Sequence, residues 1–116
     1  MDYKELDVWI QARGLVKKVY VFTDSFPKEE QFSLTSQLRR CAVSVASNIA
    51  EGCGRQTTKE TIHFLHIARG SVFEVETQVI LANDLKLATL DIDEILSEIE
   101  RVKKLLNGFI NYHKKL

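Results

Sequence analysis

Residues 37–55 read QLRRCAVSVASNIAEGCGR. Leu34, Leu38, Cys41, Ala42, Val45 and Ile49 recur at steps of three and four, the spacing of one helical face. Ser36, Arg40, Ser44, Ser47, Asn48 and Glu51 fall on the opposite side, with Gln37 beside them. A plainly solvated face more often carries Lys and Glu. Serine and asparagine are mediocre helix formers because their side chains compete for backbone bonds. Short side chains allow close helix approach and can hydrogen-bond across a contact. Gly52 and Gly54 are expected to stop the helix, as glycine does past a C-terminus. The stretch predicts a helix over about residues 33–51 with an apolar side and a small polar side.

The same periodicity predicts three more helices. About residues 6–23 carry the stripe Val8, Ala12, Leu15, Val16, Val19 and Phe22. Asp2, Glu5 and Asp7 sit near its start, which suits the helix dipole. Trp9 and Tyr20 flank the stripe and are expected at a core edge or subunit contact. Pro27 disfavours helical geometry in the residue before it, so the stretch Ser25-Phe26-Pro27-Lys28 is expected to end this helix after about Thr23. About residues 58–84 carry Phe64, Leu65, Ala68, Val72, Val75, Val79 and Ala82. Ile62, Ile67, Ile80 and Leu81 widen that stripe on both sides. The arc is broader than one small bundle core needs, so part of it is expected to face another subunit. Thr58 is the expected N-cap, with Thr61 where a complete capping box has Glu or Gln. About residues 91–112 carry Ile92, Ile95, Leu96, Ile99, Val102, Leu106, Phe109 and Ile110, capped by Asp91 or Thr89. Glu94, Glu98, Arg101, Lys103 and Lys104 lie on the other side. Four helices with short connections predict one all-α domain over residues 1–116, an antiparallel up-down-up-down four-helix bundle.

Composition narrows the function classes. Sixteen Lys and Arg balance sixteen Asp and Glu, so the formal net charge is zero. No global basic signal points to nucleic acid and no acidic tail is present. Cys41 and Cys53 lie twelve residues apart on one predicted helix, about 18 Å at 1.5 Å per residue, too far to pair. Both read as reduced thiols. The opening MDYKELDVWI has neither a basic n-region nor an apolar h-region, so the expected location is the cytoplasm. No apolar run approaches the roughly 18 residues of a membrane span, and no membrane partner is expected.

Candidate chemistry is sparse. Glu60 and His63 have the Glu-x-x-His spacing of di-iron bundles, but those sites need a second such pair and two more inward carboxylates. With no second pair, and His63 opposite the apolar stripe, neither a metal nor any other cofactor is expected. No serine has a nucleophile-elbow context, and Gly52-Cys53-Gly54 is too short for a phosphate cradle. No catalytic residue is assigned and an enzyme is not expected. Two constellations remain. Ser44, Asn48 and Glu51 share one flank of their helix, and Ser71, Glu74 and Gln78 share a flank of the next. Neighbouring helices bring such flanks together, as a structural hydrogen-bond network or a ligand site between helices. Lys59, His63 and His66 lie along one helix face with Arg69 alongside and Arg55 just before, and Arg39 and Arg40 lie on the preceding helix. This reads as a solvated face or as a modest patch contacting RNA or DNA. Histidine at two of its positions makes the patch gain charge toward acid pH.

The segment SLTSQLRRCAVSVASNIAEGCGR, followed by Lys59-Glu60 and by Gly70, Ser71, Glu74, Glu76 and Thr77, resembles the four-helix-bundle proteins of the 23S ribosomal RNA intervening-sequence family. The likeness runs from about Leu6 to Phe109. Ala46 stands where that family often has Pro, so this helix is expected to be straighter than its relatives. The resemblance implies a ring-shaped homopentamer. It also connects the chain to the accessory proteins of diversity-generating retroelements, which are strongly basic. The zero net charge here departs from that group, so its activity is not carried over. The expected function is a non-enzymatic oligomeric bundle contacting RNA or DNA, or alternatively a protein-interaction scaffold with no nucleic-acid role.

Overall fold

The computed structural model describes residues 2–116; Met1, the first residue of the expected domain, lies outside the described residues. Four α-helices dominate: α1 (Asp7–Asp24), α2 (Leu34–Cys53), α3 (Thr58–Asp84) and α4 (Asp93–Lys114). Short 3-10 turns precede α1 at Tyr3–Glu5 and α2 at Lys28–Glu30. Among the described residues there is no strand. Each helix packs on two others, α1 on α2 and α4, and α3 on α2 and α4. The core lies along the shared axis, where Leu15, Val19, Leu38, Val45, Ile49, Leu65, Val72, Val79, Ile99 and Leu106 are fully buried. Burying such a side chain stabilises by about 1.5–3 kcal/mol, so this core is the main favourable contribution to folding.

Side-chain contacts set the register. Gly52 at the end of α2 meets Thr61 and Phe64 at the start of α3. Further along, Ser44 meets Ser71, and Cys41 meets Glu74 and Gln78. Arg39, early in α2, meets Tyr20 and Asp24, late in α1. Lys18 reaches Glu94, and Gly14 faces Glu98, so the end of α1 lies beside the start of α4.

Several helix ends differ from the sequence expectation. Gly52 and Gly54 do not stop α2 at residue 51. The helix runs through Gly52 to Cys53, and Gly54 closes it with φ −89°, an ordinary right-handed value. Gly52 has a packing role instead, because it is buried against α3. The N-cap of α3 is Thr57, not Thr58. Its hydroxyl accepts from the Glu60 N–H at 3.1 Å and donates to Glu60 Oε1 at 2.9 Å. The capping pair is therefore Thr57 and Glu60, one residue before the expected frame. Helix α4 begins at Asp93 because Asp91 Oδ1 accepts from the Asp93 N–H and closes a turn first. Thr89 instead donates its N–H to Ser25 Oγ and ties two loops together. Glu98, placed by periodicity on the polar side of α4, is buried. Its carboxylate lies against Gly14 on α1, 3.8 Å from where a Cβ would stand, and Arg101 pairs with it.

Candidate functional site

The small polar side of α2 divides in two. Ser44 and Asn48 turn toward α3, while Arg40, Ser47 and Glu51 face outward. Ser44 and the buried Ser71 share a hydrogen bond of 2.9 Å between their hydroxyls. Asn48 Nδ2 donates to the Ser44 carbonyl and hydroxyl, each at 2.9 Å. One turn earlier, the Cys41 thiol donates to Glu74 Oε2 at 3.5 Å and accepts from Gln78 Nε2 at 3.5 Å. Five of the six expected network residues thus meet along the α2–α3 seam. Glu51 does not join them; it pairs with Arg55 at 3.4 Å.

Cys41 is the seam residue that sequence reasoning missed. Its place among Leu38, Ala42 and Val45 reads as core. The row Cys41, Ser44, Asn48 at steps of three and four carried the other signal. Burial pushes the Cys41 thiol up, and the charge and hydrogen bond of Glu74 push it further. Burial alone raises Cys53. Both thiols therefore stay protonated and weakly nucleophilic at neutral pH. The seam serines have no imidazole beside them, because His63 and His66 lie on the exposed side of α3. Chemically, the seam joins two helices and offers no activated nucleophile.

The seven basic candidates are not gathered into one patch. Arg39 turns toward α1: its Nε donates to Thr23 Oγ1 at 2.8 Å, and its guanidinium pairs with Asp24 at 3.1 Å and covers the Tyr20 ring at 4.4 Å. Arg40 is exposed and donates to Ser36 Oγ at 3.2 Å. Both stand near the start of α2, about 23 Å along the axis from Arg55 at 1.5 Å per residue. Arg55 covers the Phe64 ring at 4.4 Å. Lys59, His63 and His66 continue from it as an exposed row on α3. Arg69 leans over Phe73 at 5.6 Å, half-buried, with its Nε buried and without a hydrogen bond.

Other surfaces hold more apolar area. Ile67, Phe73, Ile80 and Leu81 on the outer side of α3 are each 40–45% exposed. A groove runs between α1 and the start of α4, over Val21, Phe22, Leu90 and Ile95. None of the candidate polar or basic residues lines it. Among the described residues no three His, Cys, Asp or Glu side chains group to hold a metal ion. No helix among the described residues is long and apolar enough to cross a membrane.

A family model described as 23S rRNA-intervening sequence protein matches residues 4–108. No curated protein matches the chain.

Proposed function

The chain belongs to the family of 23S rRNA-intervening sequence proteins, and on that premise we propose that it is a non-enzymatic, self-associating bundle that serves as a cytoplasmic interaction scaffold. The observation that carries this reading is the outer side of α3, where Ile67, Phe73, Ile80 and Leu81 remain 40–45% exposed beside a fully formed core. A helix needs one apolar stripe to join a bundle, and apolar side chains left half-exposed beyond that stripe favour a contact with something else. The register of contacts supports an antiparallel up-down-up-down order for the helices. The family resemblance implies a ring of five subunits. The non-enzymatic reading is supported by the seam, whose serines and asparagine are bonded to one another. Size-exclusion chromatography with light scattering tests the proposal: the expected mass is about five times the 13.3 kDa chain. A monomer mass at micromolar concentration defeats it.

One observation favours a second reading, contact with RNA or DNA. Arg55, Lys59, His63 and His66 collect at one end of the α2–α3 pair, and a ring repeats that cluster in every subunit. Few phosphates are met per subunit, so each contact is weak and the repeated cluster supplies avidity. Binding to a single-stranded RNA, followed by fluorescence anisotropy, should then fall steeply between 50 and 200 mM salt (about the range over which counterion release acts). No binding at the lower salt leaves the scaffold reading alone.

A further inference from the structure

We infer that the outer face of α3 seats α1 of a second copy of this chain, in a head-to-tail contact. The inference rests on the self-association proposed above and names the two surfaces that make it. Helices α1 and α3 sit at opposite corners of the bundle, each packed between α2 and α4. Each leaves a row of side chains outside. On α1 the row is Ile10, Gly14, Lys17, Val21 and Asp24, with Gly14 at its edge toward α4; on α3 it is Ile67, Gly70, Glu74, Thr77 and Leu81, with Glu74 at its edge toward α2. From Ile10 the steps are four, three, four and three, and counted backward from Leu81 they are the same. Laid in opposite directions, the rows match Ile10 with Leu81, Gly14 with Thr77, Lys17 with Glu74 and Val21 with Gly70; the fifth pair, Asp24 with Ile67, falls at the rim, where Asp24 already pairs with Arg39.

Three independent features favour this pairing. Gly70 is a glycine inside a long helix, a position that disfavours it relative to alanine. Nothing among the described residues explains it, since a Cβ there would meet none of their atoms within 4 Å. A neighbour approaching closely would explain it. Val21 supplies the complementary knob, being 61% exposed, the most of any large apolar side chain within the four helices. The charges agree as well. Lys17 is exposed and has no ion pair among the described residues, and the Glu74 carboxylate has only the Cys41 thiol against it.

A twofold pairing of α3 with α3 would leave the α1 row uncovered. Pairing α1 with α3 covers both rows by a single contact. Because its two sides differ, the contact repeats from copy to copy and either closes into a ring or runs on as a filament.

Disulfide trapping tests the register. Val21→Cys and Gly70→Cys are prepared separately, mixed and mildly oxidised, with the unsubstituted protein as control for Cys41 and Cys53. A covalent dimer is expected from the mixture and from neither variant alone. Gly70→Gln has room within the chain, so its helical circular dichroism should match the parent while its mass drops to 13.3 kDa. Lys17→Glu and Glu74→Lys should each weaken assembly at least tenfold, and together restore it. If the parent protein is assembled but the mixture gives no dimer and Gly70→Gln keeps the parent mass, this contact is wrong while self-association stands. A dimer from Gly70→Cys alone overturns it in favour of α3 on α3. A monomeric parent removes both readings.

Discussion

At Gly52 the backbones of α2 and α3 come close. A Cβ there would lie 3.1 Å from the Thr61 carbonyl oxygen and 3.3 Å from the Phe64 Cβ. The Thr61 hydroxyl donates to the Gly52 carbonyl at 2.8 Å, so separating the helices to make room also breaks a buried hydrogen bond. Gly52→Val is therefore expected to destabilise by about 1–3 kcal/mol, as overpacking does. Gly54 is the internal control: its φ is −89° and a Cβ would meet atoms no closer than 3.6 Å. Gly54→Ala should leave the denaturation midpoint within about 0.5 kcal/mol of the parent. Equal midpoints for the two variants would show that the close approach carries no energy. Lys86 is the reverse case. Its φ of 57° puts a lysine in the left-handed region that closes α3, where its N–H and that of Leu87 bond back to Asn83 and Ala82. Glycine is the usual residue there. Lys86→Gly should raise stability by about 0.5–1 kcal/mol, read in the same urea titration. Both cases show the limit of reading single residues. Gly52 and Gly54 look alike in the sequence, and only the helix opposite Gly52 separates a packing glycine from a terminal one.

At the scale of elements, helix α4 is tied to α3 through one lysine. Lys103 Nζ bonds both Glu76 carboxylate oxygens at 2.7 Å and Glu100 Oε1 at 3.0 Å, and lies 5.0 Å from the Phe73 ring centre. Its side chain is only 18% exposed. Lys103→Met leaves Glu76 without its partner and should cost about 1–2 kcal/mol. Burial opposes the charged form of Lys103, but its bonds to Glu76 and Glu100 outweigh burial and raise its pKa. That contribution is complete below the unfolded lysine value of about 10.4 and disappears as pH rises through the folded one. Glu100 is lowered by its hydrogen bond from Lys103, and Glu94 by its bond from Lys18. Their contributions are complete above the unfolded glutamate value of about 4.3 and disappear as pH falls through the folded ones. Thermal melts should thus weaken at both extremes. In Lys103→Met the alkaline loss should shrink, and the acid loss should persist in the part that Glu94 and Lys18 supply. The helices themselves were legible because a 3.6-residue apolar period survives in each. The buried Glu98 was not, because its burial depends on α1 packing over it at Gly14 and on its pairing with Arg101, neither of which the period of α4 shows. The seam was half legible: Ser44, Asn48 and Ser71 announced it by their type, whereas Cys41 looked like core.

The whole chain is long for its mass. Its extents are 46 × 24 × 21 Å and its radius of gyration is 14.6 Å, against about 13.4 Å for a compact chain of this length. It exposes 6998 Å², where a monomer of 13.3 kDa exposes about 6,450 Å². The shape follows from α3, whose 27 residues run about 40 Å at 1.5 Å each. A rod of four helices has much lateral surface per buried side chain, and here part of that surface is isoleucine, leucine and phenylalanine. The basic patch dispersed for the same reason. Residues near in sequence type, such as Arg40 and Arg55, stand at opposite ends of a long helix, and a one-dimensional reading does not register that distance. Covering the lateral apolar side chains with other copies would add burial that the single chain lacks. Assembly would then be linked to folding by mass action, because only the folded chain presents the α3 face. The expected result is a melting temperature that rises with protein concentration, measured by circular dichroism over a hundredfold range at constant salt. Gly70→Gln should abolish that dependence while keeping the melt of the most dilute parent sample. A melting temperature that is flat across the range, in a parent whose mass stays above that of one chain, would mean that the subunits join through surfaces contributing nothing to the stability of the bundle.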